Sequence, residues 1–240
     1  MRKWFKYSLR YEGAESPDLT RDNSVSVRSP DYLAFIQPRV KSGDEILSVG
    51  AGSGYTEDRI TGVTVTCTDL VSNGKASALN IVMQSAGCKY DGAICLSTIY
   101  LFDELQLAST LRNICASLRS GGYLILDSAG SPDNWLSWFI HDVWLPSEFR
   151  LFQCLRWLQG RPCMVECASF GWRRTDKEIL TATQHAGFAL VEQKNYAFLN
   201  EFRRSVILGI AMRFLPARAI LSALGRLMPY TRMFQFRKVE

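Results

Sequence analysis

Gly50, Gly52 and Gly54 stand at alternate positions directly after the apolar run Ile46-Leu47-Ser48-Val49. Such a run reads as a strand. Glycines behind it let the chain take left-handed angles and let a ligand reach the main chain without meeting a Cβ. Val63 to Thr68 reads as the next strand and is followed by Asp69. The separation of about 20 residues is that expected of a carboxylate accepting from ribose hydroxyls. Together these residues predict a site for a ligand built on a nucleoside. The spacing is G-x-G-x-G, whereas a dinucleotide site needs G-x-G-x-x-G, whose third glycine lets a helix pack close with its N-terminus on pyrophosphate. A nicotinamide-dependent oxidoreductase is disfavoured on that ground.

The elements that must position these residues alternate between strand and helix. Asp31 to Val40 reads as a helix leading into the first strand, and strands follow at about 45–50, 63–68, 79–84, 92–97 and 122–127. Leu105 to Leu118 carries apolar residues at helical spacing and reads as a crossover helix. Each strand is followed by a segment read as long enough to cross back, which predicts a parallel sheet covered on both faces. Thr175-Asp176-Lys177-Glu178 reads as a capping box opening a helix that stops before Gly187. Phe188 to Ala197 and Met233 to Val239 then read as closing antiparallel strands.

Three further stretches resemble the class I S-adenosylmethionine-dependent methyltransferases, whose first motif is a hydrophobic strand, usually an acidic residue, then G-x-G-x-G. Tyr90 to Glu104 is similar to the family's fourth strand and active-site segment, and Leu118 to Asp127 to its Gly-Gly turn and fifth strand. Gly171 to Val191 is similar to its late helix and strand. The resemblance implies an α/β, Rossmann-like, doubly wound fold: a mostly parallel seven-stranded sheet with an antiparallel last strand and a helical insertion near the C-terminus. It implies S-adenosylmethionine as cofactor and S-adenosylhomocysteine as product. The implied cofactor-binding residues are Gly50, Ala51, Gly52, Gly54, Asp69, Leu70, Ser85, Ala86 and Ser97. Two positions depart from the pattern. Ser48 stands where the family usually has Asp or Glu, and Gln84-Ser85-Ala86 stands where an Asp often binds the adenine amino group.

The chain has 240 residues, 47% hydrophobic and 21% charged, enough to bury a core in one domain. The domain reading spans 1–240: an N-terminal helical segment (1–44), a cofactor-binding half (45–130), an aromatic lid or acceptor segment (131–170) and a basic amphipathic helical insertion (198–231). Seven cysteines without a C-x-x-C pair point to reduced thiols in the cytoplasm. Cys163 and Cys167, with only two histidines in the chain, make a poor metal site, so no metal is expected. The basic N-terminus, Met1 to Lys6, lacks the apolar run of an export signal.

Ser131 to Gly160 is crowded with aromatics, among them Trp135, Trp138, Phe139, Trp144 and Trp157. It begins where the fifth strand delivers the chain to the ligand side of the sheet, so it reads either as a lid over an acceptor or as packing against the sheet. From Phe202 to Glu240 the chain carries eight basic residues against one acidic, although its whole net charge is only +5. Apolar residues recur there at helical spacing, and Pro216 divides the run into two helices too short and too interrupted to span a membrane. Such a pair either lies on an anionic membrane surface or caps the sheet or a second subunit. Nucleic acid is disfavoured, because the tail offers aliphatics where single-strand binding calls for interleaved aromatics.

The implied chemistry is methyl transfer to a small-molecule or lipid-linked acceptor, with oxygen favoured. An alcohol needs a base near its proton, and histidine is the commonest. His141, in the aromatic segment beside Asp142, is the candidate base. Tyr100, just beyond the fourth strand, is the candidate for orienting the acceptor, and His185 reads as a helix-end residue. The expected location is the cytoplasm, including the inner face of a membrane. A noncatalytic binding or assembly protein on the same fold is the alternative. The oligomeric state is open.

Overall fold

The computed structural model describes residues 2–6, 23–72, 74–161, 168–196, 205–227 and 231–239. Cys163, Cys167, Arg203 and Arg204 lie outside the described residues. In chain order the first half comprises β1 (Arg2–Lys6), α1 (Asn23–Ile36), β2 (Glu45–Val49), β3 (Thr64–Asp69), β4 (Ser77–Ala78), β5 (Tyr90–Cys95), α2 (Glu104–Ser117) and β6 (Leu118–Ala129). Then come α3 (Trp135–Trp138), a π-helical stretch (Phe139–Trp144), α4 (Leu145–Leu158), β7 (Ala168–Arg173), α5 (Asp176–His185), β8 (Phe188–Tyr196), α6 (Val206–Ala211), α7 (Leu215–Leu227) and β9 (Thr231–Lys238).

Successive side chains of a strand point to opposite faces, and here both faces are buried. Leu47, Val49, Ala93, Cys95, Leu124 and Leu126 pack with α2 and α5 through Leu107, Leu111, Ile114 and Ile179. Their neighbours Ile46, Ile94 and Ile125 pack on the other face with Tyr32, Phe35 and Ile36 of α1. The seven strands run in the order β4-β3-β2-β5-β6-β9-β8. The first five are parallel, and β9 is antiparallel to both β6 and β8. This is the doubly wound, mostly parallel sheet that the strand spacing and resemblance predict.

The crossovers of the cofactor half differ from expectation. Among the described residues, 50–63, 70–76 and 79–89 contain no α-helix, although parallel strands are normally joined by about a dozen residues or more, usually as a helix. Only a 3-10 turn, Glu57–Arg59, follows the glycines. Ile60 and Ile81 are buried in the cores on the two faces of the sheet and peg their loops there. The third strand, expected at 79–84, is the two-residue β4, and 81–83 turns away because Met83 and Gln84 face solvent. α1 begins before Pro30 rather than after it.

A second sheet was not legible in the sequence. β1 pairs antiparallel with β7, setting Trp4 opposite Gly171. Gly171 lies against the backbone of Tyr100, where a Cβ would collide with the Tyr100 carbonyl. This ribbon therefore closes on the segment that follows β5.

The aromatic segment and the basic tail also meet. Leu136, Ile140, Leu145 and Met212 form a separate core to which Phe139, Trp144, Leu208 and Leu221 add. Buried Glu148 accepts from Ser205 Oγ at 3.1 Å and from the Ile207 N–H at 2.7 Å. Trp144 Nε1 donates to the same hydroxyl at 2.9 Å, and that hydroxyl caps α6 by accepting from Leu208 N–H. The tail helices thus pack on the aromatic segment, which neither sequence alternative anticipated. Pro216 sits in the first turn of α7, where its missing N–H costs nothing.

Candidate active site

The carboxyl end of β2 runs into the glycine turn, and the end of β3 holds that turn from beside it. Thr68 carbonyl accepts from the Gly50 and Ala51 N–H groups at 2.9 and 3.0 Å. Gly50, Gly52 and Gly54 all have positive φ, at 72°, 55° and 68°. A Cβ on Gly50 would lie 2.6 Å from Thr98 Cγ2, so the turn packs directly on the chain leaving β5. Nothing stands within 4 Å of a Cβ built on Gly52, which leaves an open cradle over that residue.

Asp69 borders the cradle. One oxygen accepts from Gly52 N–H at 3.0 Å and the other from Leu70 N–H at 2.7 Å. A carboxylate has about four lone-pair sites, so both oxygens keep acceptor capacity for ligand hydroxyls. Leu70, 66% exposed beside it, offers an apolar surface of the kind a purine ring covers.

Ser97 lies just past the end of β5 with φ 52°, a left-handed angle that costs a non-glycine residue about 1 kcal/mol or more. Buried Asp127 at the end of β6 holds it there, accepting from Ser97 N–H at 2.5 Å. The second oxygen of Asp127 accepts from Tyr32 OH at 2.6 Å, and Tyr32 OH lies 3.0 Å from Ser97 Oγ. Three distant segments therefore meet at one hydrogen-bonded trio, at the same end of the sheet as the glycine turn. Tyr32→Phe removes one of these donors to a buried carboxylate. Its expected cost is about 1–2 kcal/mol. At about 2–4 °C per kcal/mol for a chain of this size, the melting temperature is expected to fall by roughly 2–8 °C in differential scanning calorimetry.

Tyr100 lines a narrow cleft with Asp127, Ser128, Trp172 and Arg174. Arg174 is buried and donates to the carbonyls of Ile99 and Phe102, and burial pulls its guanidinium down to about 10. It thereby fixes the loop that carries Tyr100.

Three predicted residues are not brought to this place. Ala86 N–H donates to Ser117 Oγ at 2.8 Å, at the foot of α2, where Leu118 pairs with Tyr90 at the start of β5. Ser85 and Ala86 thus sit toward the sheet end opposite the glycine turn, because β4 ends at Ala78, six residues before the expected strand end at 84, and the chain turns back there. Leu79 and Asn80 occupy the end of β4 instead, with Leu79 N–H on the Asp69 carbonyl at 2.8 Å. Reading Ser77 to Ala78 as the strand would have found them. His141 is 6% exposed, enclosed in the π-helical stretch. His185, at the end of α5, borders a separate cavity of about 500 Å³ between α2 and α5 that includes none of the glycine-turn residues.

A family model described as a methyltransferase domain matches residues 22–193. This chain belongs to the class I S-adenosylmethionine-dependent methyltransferases. No curated protein matches it in sequence. Among solved structures, it is similar to the N-methyltransferase NodS from Bradyrhizobium japonicum in complex with S-adenosylhomocysteine, at 15% identity and TM-score 0.53, covering 95% of this chain and 94% of that one. It is also similar to the Burkholderia thailandensis 1,6-didemethyltoxoflavin-N1-methyltransferase with bound 1,6-didemethyltoxoflavin and S-adenosylhomocysteine, at 14% identity and TM-score 0.55, covering 93% and 82%. A third likeness is to the putative methyltransferase complexed with the Trm112 activator from Haloferax volcanii, at 16% identity and TM-score 0.54, covering 92% and 94%. The methyltransferase's cofactor is S-adenosylmethionine, and the open cradle at Gly52 beside a carboxylate with spare acceptor sites fits that molecule's ribose.

Proposed function

We propose that this methyltransferase acts on a hydroxyl of an apolar small-molecule or lipid-linked acceptor, in the cytoplasm at the inner face of a membrane. The observation that carries this reading is the outer surface of the helical subdomain. Leu151, Leu155, Trp157 and Leu158 of α4 are exposed, and so are Ile210, Phe214, Leu215 and Ile220 in and around α6 and α7. Arg213 and Arg218, also exposed, stand among the latter. No helix of the described residues is long and apolar enough to cross a membrane. An apolar face with interspersed arginines suits the boundary of an anionic bilayer. The subdomain begins just beyond β6, so an acceptor arriving there is close to the Asp127 cluster. The bound 1,6-didemethyltoxoflavin of the Burkholderia relative supports a small-molecule acceptor as the simpler case.

The cofactor supplies the methyl group as an electrophile, and the protein aligns the acceptor and handles its proton. In this reading Asp69 holds the ribose, Leu70 covers the purine, and the Asn80 amide replaces Ser85 at its polar edge. Tyr100 orients the acceptor hydroxyl by hydrogen bonding, being a poor base at neutral pH. In this reading the Tyr32–Asp127 pair, rather than the enclosed His141, takes up the acceptor's proton through Ser97, which the hydrogen bonds joining the three support.

The test supplies methyl-labelled cofactor with lipid and aqueous fractions of a cell extract. Label is expected in the lipid fraction, and the protein is expected to sediment with phosphatidylglycerol vesicles. Phe214→Glu with Leu215→Glu should weaken vesicle binding about 10-fold or more, since each replaces an exposed apolar group that would enter the bilayer boundary with a charge that anionic lipid repels. Label confined to polar acceptors, with no vesicle binding, would overturn the lipid assignment.

A further inference from the structure

Ser48 is buried two residues before Gly50, and its hydroxyl donates to Glu57 Oε1 at 2.8 Å. The 3-10 turn that replaces the helix after the glycines thus delivers a carboxylate to within one hydrogen bond of the strand end. Glu57 is only 7% exposed, and burial pushes its carboxyl above the ordinary range. Besides Ser48, the backbone N–H groups of Thr56 and Glu57 itself face it, and Asp58 adds a like charge. Lys75, whose stem covers Gly54, gives its ammonium to Asp58 and reaches Glu57 only through space. A buried carboxylate held by neutral donors is costly to ionise, and a ligand cation placed beside it recovers that cost.

We propose that Glu57, held by Ser48, receives the α-ammonium of the cofactor's methionine group and so stands in for the acidic side chain that relatives carry at the position of Ser48. The proposal rests on the glycine turn being the cofactor site. In relatives of the usual pattern the carboxylate comes from the strand itself. Here a hydroxyl occupies the strand, and the charge arrives from nine residues downstream.

Two ligands separate this role from a structural one. S-adenosylhomocysteine carries the amino-acid group; 5′-methylthioadenosine keeps the adenosine and the thioether but lacks it. By calorimetric titration, Glu57→Gln is expected to weaken S-adenosylhomocysteine about 10- to 100-fold, the range of one charge-assisted contact. Its affinity for 5′-methylthioadenosine is expected to stay within about 2-fold of wild type, because that ligand has no ammonium. Ser48→Asp added to Glu57→Gln should restore most of the loss. Equal weakening of both ligands would make Glu57 a brace of the turn and overturn the assignment, as would unchanged binding of both.

The pH dependence has a definite sign. The ammonium favours the ionised carboxylate, so binding releases a proton wherever the free carboxyl is still protonated. Affinity therefore rises with pH until the free protein's raised carboxyl value is passed and is level above it, and Glu57→Gln should flatten that rise. A wild-type protein that binds neither ligand would remove the cofactor site and this role together. Binding of both ligands by wild type with no response to Glu57→Gln would remove the role alone.

Discussion

Asp69→Ala is expected to weaken S-adenosylhomocysteine binding by about 100-fold or more while leaving the protein folded. Two ribose hydroxyls donating to one carboxylate are each worth about 1.5–3 kcal/mol as charge-assisted hydrogen bonds. Even the lower figure for both exceeds 2.7 kcal/mol, the equivalent of about 100-fold. The turn itself should survive. Gly52 N–H loses its acceptor, but the turn is partly open to water, and Gly50 and Ala51 remain tied to the Thr68 carbonyl. Asp69→Asn keeps one acceptor oxygen and should fall between the two. Calorimetry reads the affinity and a thermal melt reads the fold. A folded Asp69→Ala protein that binds like wild type would place the ribose somewhere other than the end of β3.

Asp142→Ala is expected to be strongly destabilising for a residue outside the apolar cores. Arg173, whose side chain is 1% exposed, ends β7 and points its guanidinium into the helical subdomain. Its Nη2 donates to both Asp142 oxygens, at 2.7 and 2.6 Å, while Nη1 reaches Ser137 carbonyl at 3.4 Å and Nε finds no partner. Arginine does not shed its proton in proteins, so removing Asp142 leaves a charge buried. Breaking a buried pair from one side costs about 3–5 kcal/mol, and the partial exposure of Asp142 brings this toward 2–3. A melting temperature lower by roughly 4–12 °C should follow. S-adenosylhomocysteine binding should persist, because the glycine turn shares no contact with this pair. Replacing both residues, as Arg173→Met with Asp142→Leu, should recover much of the loss. A wild-type melting temperature for Asp142→Ala would mean that the pair does not anchor the subdomain.

The cofactor half shows where pattern reading succeeds and where it stops. The first strand and its glycines are visible because a buried parallel strand is a run of apolar residues, and because only glycine is comfortable at φ near 60–70°. Asp69 is visible because it ends the next such run. The third strand is misplaced because two residues, Ser77 and Ala78, carry no period. That error shifts the residues read at the carboxyl end of the third strand from Leu79 and Asn80 to Ser85 and Ala86. The burial of Glu57 against Ser48 was invisible because nothing in its spacing distinguishes it from the exposed Asp58 beside it.

The sequence by itself determined the long strands of the sheet, their buried faces, the glycine turn with Asp69 and the helix opened by a capping box. At α5 the box is complete: Glu178 N–H donates to Thr175 Oγ1 at 3.1 Å, and Thr175 N–H donates to Glu178 Oε2 at 2.9 Å. These features are decided by neighbours along the chain, through backbone angles, strand alternation and local hydrogen bonds. Only the tertiary structure decided the rest. It joined Tyr32, Ser97 and Asp127, set Arg173 on Asp142, and packed the aromatic segment on the tail helices. It also divided the tail's charge: Arg232, Arg237 and Lys238 serve β9 by contacting Asp176, Gly121 and the carbonyls of Cys115 and Leu118. Arg213 and Arg218 remain exposed on the helical face. Whether a charge meets solvent, a carbonyl or a carboxylate depends on which distant segment the sheet order brings beside it, and residue spacing carries no record of that.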